Sequence, residues 1–297
     1  MDISFLIVTR NRPVDLRLTL DRLKEMIDLD NHEVLVFIDG CEQTTPLISE
    51  YPWVGWSQVS KSISASPARN HLYKGAQGTI FIGLDDDAHP ISRNFIEEVE
   101  ARFRDPDSYR DVNLGILAFQ EVRGLFVTDQ DALKNCVKSD VYKTNDFVGC
   151  GFAVSKEAYE ATNGFPLWMD IYGEESALAI EVMDAGYDIV YDYHLQVNHR
   201  VNVQKRKVMG RNYFRFEHQL RNVLNYYLVY YPKPARRILR TLLHNFRKYA
   251  LSDWTYFKAY WRVLIGTLLN IKSTLSYRKP VQLYTIEKRK QLRDLKY

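Results

Sequence analysis

At 297 residues, with 46% hydrophobic and 26% charged side chains, the chain has the composition of a globular protein and the length for one large or two small domains. Three scattered cysteines, Cys41, Cys136 and Cys150, exclude a disulfide scaffold and point to a reducing compartment. The net charge of +3 conceals a division: residues 1–204 carry 18 Lys/Arg against 33 Asp/Glu, and residues 205–297 carry 22 against 4. That asymmetry marks a boundary near Asn202–Arg206 and suggests two regions, 1–204 and 205–297, that meet different partners. The amino terminus lacks the pattern of a signal peptide, and no run of about eighteen apolar residues exists to span a membrane.

Ile3–Val8 reads as a strand, and Thr9-Arg10-Asn11-Arg12-Pro13 as a turn into a helix on which Leu16, Leu20 and Leu23 recur at helical spacing. Val34–Ile38 is the next strand and ends at Asp39-Gly40. Strand, helix and strand joined by short turns begin a doubly wound α/β sheet, where ligands lie beyond the carboxyl ends of the strands. Ser64-Ala65-Ser66-Pro67 opens a further helix and brings Arg69 near its start, to pair with phosphate or with acids. Thr79–Leu84 is a buried strand that runs into Asp85-Asp86-Asp87, and Pro90 stops the extended run.

Further on, Ile91–Phe103 reads as a helix with Phe95, Ile96, Val99 and Phe103 inward. Leu114–Phe119 and Phe147–Val154 read as strands, and Asp105–Asp111 and Val127–Lys143 as loops. A glycine- and aromatic-rich stretch, Asn163–Gly173, precedes Glu174-Glu175 and a helix over Ala177–Ala185. Tyr187–Tyr191 is a further strand, followed by Val197-Asn198-His199-Arg200.

Three adjacent carboxylates at a strand end repel one another and require a compensating cation. A hard divalent ion bound through oxygen, with phosphates completing its shell, supplies one. Asp85 and Asp87 would share a face if the strand continued, with Asp86 turned away.

Taken in order, Val8-Thr9-Arg10-Asn11-Arg12, Asp39-Gly40, Ala68-Arg69-Asn70, Leu84-Asp85-Asp86-Asp87, Asn163-Gly164-Phe165, Tyr172-Gly173-Glu174-Glu175, Asp184-Ala185-Gly186-Tyr187 and His199 form a pattern. It resembles the family 2 glycosyltransferases with the GT-A fold over roughly residues 2–200. Leu220-Arg221-Asn222 is similar to the Arg-Asn segment of the rhamnosyltransferase-like members. The resemblance implies a mostly parallel, Rossmann-like sheet flanked by helices, a nucleotide-sugar donor, Mn²⁺ or Mg²⁺, and inversion at the anomeric carbon.

Residue by residue, the resemblance implies that Thr9 and Asp39 hold base and ribose, with Arg10, Arg69, Asp85 and Asp86 at the donor. Asp85 and Asp87 are then the metal-binding DxD, with His199 a further metal or diphosphate contact. Glu175 stands at the place of the catalytic base, with Glu174 beside it to cap the helix or position the acceptor. Trp168, Asp170 and Tyr172 are acceptor-binding candidates. Three departures stand out: Cys41 follows Asp39-Gly40 where serine is commoner, Ala177 stands where an aspartate is frequent, and Asp87-Ala88-His89 makes His89 a rival ligand to His199.

The tail reads as helical and amphipathic, with stripes Leu239/Leu242/Leu243/Phe246 and Trp254/Phe257/Trp261/Leu264/Ile265/Leu268. Arg236, Arg237, Arg240, Arg247 and Lys248 flank the first stripe. Such helices either pack on the catalytic domain or lie on an anionic membrane; no nucleic-acid module is recognisable. The expected protein is a cytoplasmic enzyme, peripheral at the inner face of the cell membrane. It would transfer sugar to a saccharide or lipid-linked acceptor in making cell-surface polysaccharide or another glycoconjugate. The alternatives are a nucleotidyltransferase, against which Thr9–Pro13 lacks glycine, and a catalytically degenerate GT-A scaffold.

Overall fold

A computed structural model describes residues 1–105, 109–204 and 210–295. The centre of the Asp105–Asp111 loop and the basic end of the Asn202–Arg206 boundary lie outside the described residues. Strands β1 (Ile3–Thr9), β2 (His32–Asp39), β3 (Gly55–Val59) and β4 (Ile80–Asp85) are parallel and adjacent in the order β3-β2-β1-β4. Helices α1 (Pro13–Lys24), α2 (Leu47–Glu50) and α3 (Ala65–Gly75) connect them. Because helices cover both faces, the strands are near-continuous apolar runs. Ile3, Phe5 and Ile7 pack with Leu16, Leu20 and Leu23 of α1, whereas Leu6 turns to Ala68, Leu72 and Tyr73 of α3.

After β4 the chain turns at Asp86-Asp87 and forms β5 (Ala88–Pro90), α4 (Phe95–Arg104), β6 (Leu114–Arg123), α5 (Asp129–Leu133), β7 (Tyr142–Thr144), β8 (Gly151–Ser155), α6 (Lys156–Glu160), α7 (Glu174–Asp184) and β9 (Asp188–His199). The sheet continues β4-β8-β6-β9-β5, with β7 paired to β9. Pro90 therefore sits inside a strand, but an edge strand, where proline is tolerated.

Several sequence expectations change. The helix expected from Ile91 begins at Phe95, because Asn94 adopts φ +49 and breaks the run. The Val127–Lys143 loop contains α5, whose amino end is capped by the Thr128 hydroxyl accepting from Asp131 N, and the start of β7. The strand read as Phe147–Val154 is shorter, Gly151–Ser155. The strand read as Tyr187–Tyr191 runs on to His199, sustained by parallel pairing with β6 across a bulge.

The tail comprises α8 (Tyr213–Tyr230), α9 (Ala235–Asn245) continuing through a π-helical turn Phe246–Ala250, α10 (Trp254–Leu269), α11 (Ile271–Ser276) and α12 (Leu283–Gln291). Phe216, Leu220 and Leu224 of α8 pack with Tyr256, Ala259 and Tyr260 of α10. The far end of α8 joins α7: Tyr226, Val229 and Tyr230 close over Ala177 and Ile180. Among the described residues no helix is long and apolar enough to cross a membrane.

Candidate active site

The carboxyl ends of β1, β2 and β4 converge on one edge. Thr9 is buried there, and its hydroxyl donates to Asp86 Oδ2 at 2.8 Å. Arg10 is exposed beside it. Asp39 is buried and occupied: its oxygens accept from Ser62 Oγ at 2.6 Å, Ile63 N at 2.7 Å and Ser64 N at 3.2 Å. Asp39 thereby shapes the 62–64 loop that leads into α3. Cys41 accepts from Asn11 N at 3.2 Å and meets the Thr44 hydroxyl at 3.3 Å, so the thiol ties two strand-end turns together.

The three aspartates separate as the turn after β4 dictates. Arg12 Nη1 bridges Asp86 Oδ1 at 2.9 Å and Asp87 Oδ2 at 2.8 Å. Burial pushes Asp86 up to about 6 against the pull of Arg12 and Thr9. Burial also acts on Asp87, but hydrogen bonding and charge from His199, with Arg12 and Arg200, outweigh it and hold Asp87 at about 2. Asp85, half-buried, turns instead to Arg69 Nη2 at 2.8 Å.

His199 reaches this cluster because β5 and β9 pair antiparallel, with Ala88 opposite His199. Its Nε2 lies 3.2 Å from Asp87 Oδ1, and its Nδ1 lies 2.5 Å from Glu121 Oε1 on β6. Burial disfavours the imidazolium, but Asp87, Cys150 and Glu121 raise His199 to about 12. His89 is turned away from the acids: its Nε2 meets Asp129 at 3.0 Å and its Nδ1 accepts from Arg200 at 2.5 Å. Ligand atoms of Asp85, Asp87 and His199 all lie within 4.8 Å of one another.

Those three residues fit a hard divalent cation. Asp87 Oδ1 is buried against His199 Nε2 at 3.2 Å, and with Asp85 the two supply oxygen and nitrogen donors of the kind such an ion takes. A second group, Glu121, Cys150 and His199, is equally close. Its Cys150 sulfur is a soft donor, whereas a hard divalent ion prefers carboxylate oxygens, which favours the oxygen-rich set. With a cation on Nε2, Glu121 would hold the imidazole by its other nitrogen, the usual carboxylate support for a metal-binding histidine.

Across the cleft, α7 presents the two glutamates. Gly173 at φ +108 starts the helix, so Glu174 and Glu175 occupy its first turn and diverge by about 100°. Glu175 is partly exposed and pairs with Arg69 Nη1 at 3.1 Å. Glu174 is buried, 3.5 Å from the same nitrogen, and its Oε2 has no hydrogen-bond partner. Burial, reinforced by Glu175, raises Glu174 well above the usual carboxylate range despite Arg69. One guanidinium therefore joins Asp85 on the metal side to the glutamates on the other. Gly149 leaves room for it, since a Cβ there would come within 2.1 Å of Glu175 Oε1 and 2.9 Å of Arg69 Nη1.

No family model and no curated protein matches this sequence. Solved structures do resemble the fold. GalNAc-T7 with UDP, GalNAc and Mn²⁺ superposes with TM-score 0.60 at 14% identity, over 80% of this chain and 49% of its own. The mannosyltransferase PcManGT from Pyrobaculum calidifontis, in complex with GDP-Man and Mn²⁺, gives 0.56 at 16% over 97% and 83%. S. aureus TarS residues 1–349 with UDP-GlcNAc give 0.59 at 13% over 89% and 80%. This chain spans about half the length of the GalNAc-T7 chain. The protein has the GT-A fold.

On this GT-A sheet, the loop before α7 is fastened by α8. Asp170 accepts from Arg221 Nη2 at 2.5 Å and lies 2.7 Å from His218, while Asn222 donates to Ile171 O at 2.8 Å and Tyr172 O at 3.0 Å. The Arg-Asn segment noticed in the sequence is this clamp. Tyr172 is held at φ +73, a left-handed conformation costly for a tyrosine, with Arg215 over its ring at 5.2 Å. Trp168 packs 6.0 Å from Tyr230 of α8, in the cluster around Met169 rather than free in the cleft. Ala177 is fully buried in that cluster, so an aspartate there would be driven against Tyr226 and Tyr230.

Sequence reasoning missed Arg12 as the bridge, Glu121 behind His199, and Gly149. Arg12 stood in the Thr9–Pro13 turn without a role, and Glu121 left a trace as a carboxylate two residues beyond the apolar run Leu114–Phe119.

Proposed function

We propose that this protein is a metal-dependent inverting glycosyltransferase, moving a hexosyl or deoxyhexosyl group from a nucleotide sugar to a saccharide or lipid-linked acceptor. The observation that carries the reading is the division of acids: Asp85, Asp87 and His199 gather on one side of Arg69, and Glu174 and Glu175 stand on the other, with Glu175 the partly exposed one. The solved neighbours that bind UDP, GDP-Man or UDP-GlcNAc, two of them with Mn²⁺, support it.

A bound Mn²⁺ or Mg²⁺ would supply Lewis-acid neutralisation of the nucleoside diphosphate leaving group. Thr9, Arg10 and the Asp39-shaped loop would form the nucleotide wall at the strand ends. Glu175 would take the proton from the acceptor hydroxyl as that oxygen attacks the anomeric carbon, and the hydroxyl must then lie opposite the leaving group, which inverts the centre. Glu174, keeping its own proton, would hold the helix turn. Arg69 would fix the spacing between diphosphate and base, and neutralise Asp85 and Glu175 before donor arrives. The test is a screen of nucleotide sugars for diphosphate release with Mn²⁺ or Mg²⁺ and with chelator. Release in chelator at the same rate would overturn the metal dependence, and no release from any donor would overturn the activity.

The tail would place this chemistry at an anionic membrane surface, as synthesis of cell-surface polysaccharide requires. Helix α9 buries no side chain fully, exposes Leu239 and Leu243, and carries Arg236 and Arg240, with Arg247 and Lys248 following. Each basic residue near such a surface contributes on the order of 1 kcal/mol. Vesicle sedimentation should show binding to anionic but not neutral lipid, weakened by salt and by Leu239→Ser with Leu243→Ser. Equal binding to neutral vesicles would remove this part of the reading.

A further inference from the structure

A cavity of about 960 Å³ lies between the start of α7 and helices α8, α9 and α12, within the range of small-ligand sites. Tyr172, Gly173 and Ser176 wall it on the catalytic side, so it reaches the helical turn that carries Glu174 and Glu175. Its lining is built from arginine–tyrosine pairs. Arg215 lies 5.2 Å from the centroid of Tyr172, Arg237 lies 4.5 Å from Tyr231, and Arg289 lies 5.6 Å from Tyr226. Cation–π pairing fixes these rings and leaves phenol edges and guanidinium donors together. A sugar ring, with apolar C–H faces and a rim of hydroxyls, is matched by such amphipathic surfaces.

The charge of the lining narrows the ligand. Both cavity acids are engaged: Asp146 accepts from Ser176 Oγ at 2.5 Å and faces Arg289 at 3.8 Å, and Asp294 accepts from Asn145 at 2.8 Å. Arg215, Arg237 and Lys290 also line the cavity, and among the described residues none of the three has an ion-pair partner. Three cations without counter-ions around an aromatic, water-accessible space favour an anion, and guanidinium groups suit carboxylate or phosphate.

We infer that this cavity is the acceptor site and that the acceptor is a saccharide bearing a carboxylate or phosphate group. The inference rests on the glycosyltransferase reading, since the acceptor hydroxyl must then emerge beside Glu175.

Calorimetry on the full chain with three probes tests it: trigalacturonate, maltotriose 6-phosphate and neutral maltotriose. At least one charged probe should bind about tenfold or more tightly than maltotriose, and which one binds identifies the anion. Arg237→Gln should abolish most of that preference, Arg237→Lys should retain part of it, and Mn²⁺-dependent nucleoside diphosphate binding should be unchanged in both. Should Arg237→Gln fail to fold, Lys290→Gln, on the exposed side of α12, asks the same question. Equal affinity for maltotriose, no binding of either charged probe, or full affinity in folded Arg237→Gln and Lys290→Gln would overturn the inference. Failure of the glycosyltransferase reading has a separate signature: loss of metal-dependent nucleotide binding while charge-selective saccharide binding persists.

Discussion

Two pairs of neighbouring carboxylates face the same cleft, and each pair is divided between structure and chemistry by its surroundings. At the β4 turn, Arg12 touches both Asp86 and Asp87, yet Asp86 is pushed up to about 6 by burial while Asp87, supported by His199, is held at about 2. At the start of α7, Arg69 approaches both Glu174 and Glu175, but burial raises Glu174 and leaves Glu175 at the edge of the cleft. One arginine cannot equalise two adjacent acids, because desolvation differs between them. In the proposed mechanism Asp87 and Glu175 are the reactive members, and Asp86 and Glu174 the ones that hold the turn.

The comparison breaks most completely at Asp87. Asp87→Ala removes the carboxylate that faces His199 and should lower metal-dependent turnover by roughly 10³-fold or more, with Mn²⁺ binding lost in electron paramagnetic resonance. Next in size, Glu175→Gln keeps shape but removes the proton acceptor. Turnover should fall about 10²–10⁴-fold while donor affinity persists, and Glu174→Gln should cost far less. A reversed order would assign the base to Glu174.

Glu121→Gln removes the charge that faces His199 and Arg123, and is expected to weaken Mn²⁺ affinity roughly 10–100-fold without unfolding the protein. Metal titration followed by spin resonance measures this directly. The smallest effect concerns pH and stability. Glu174 keeps its proton above the ordinary range in the folded state, whereas the unfolded chain releases it near the usual glutamate value of about 4.3. The folded state is therefore favoured by this group below that value and disfavoured as pH rises through the raised one. Glu174→Gln should unfold at a temperature that gains on wild type from pH 6 to pH 9, by about 2–4 °C for each kcal/mol relieved. A difference that is flat with pH would mean that Glu174 is ionised in the folded protein.

The elements legible in the sequence were those with local signals. Short β-branched runs ending in Thr9, Asp39 and Asp85 marked the strands, and helical spacing of Leu16, Leu20 and Leu23 marked α1. The Asp85–Asp87 cluster and Glu174-Glu175 were visible as charge where charge is costly. What stayed hidden depends on pairing between distant segments. Whether His89 or His199 meets the acids is decided by the β5–β9 register, and Glu121 matters only because β6 lies beside β9. Ala177 looked like a lost carboxylate until the return of α8 over α7 made it a packing position.

The clamp of Arg221, Asn222 and His218 on Asp170–Tyr172 has an evolutionary consequence. The tail and the loop are read as one unit, since the loop's strained Tyr172 is held from outside the sheet. Exchanging tails between related enzymes would thus release the segment ahead of the glutamates as well as change the surface. Novel acceptor preferences should arise by paired substitutions in the loop and α8, and chimeras that swap either one alone should lose activity before they acquire a new specificity.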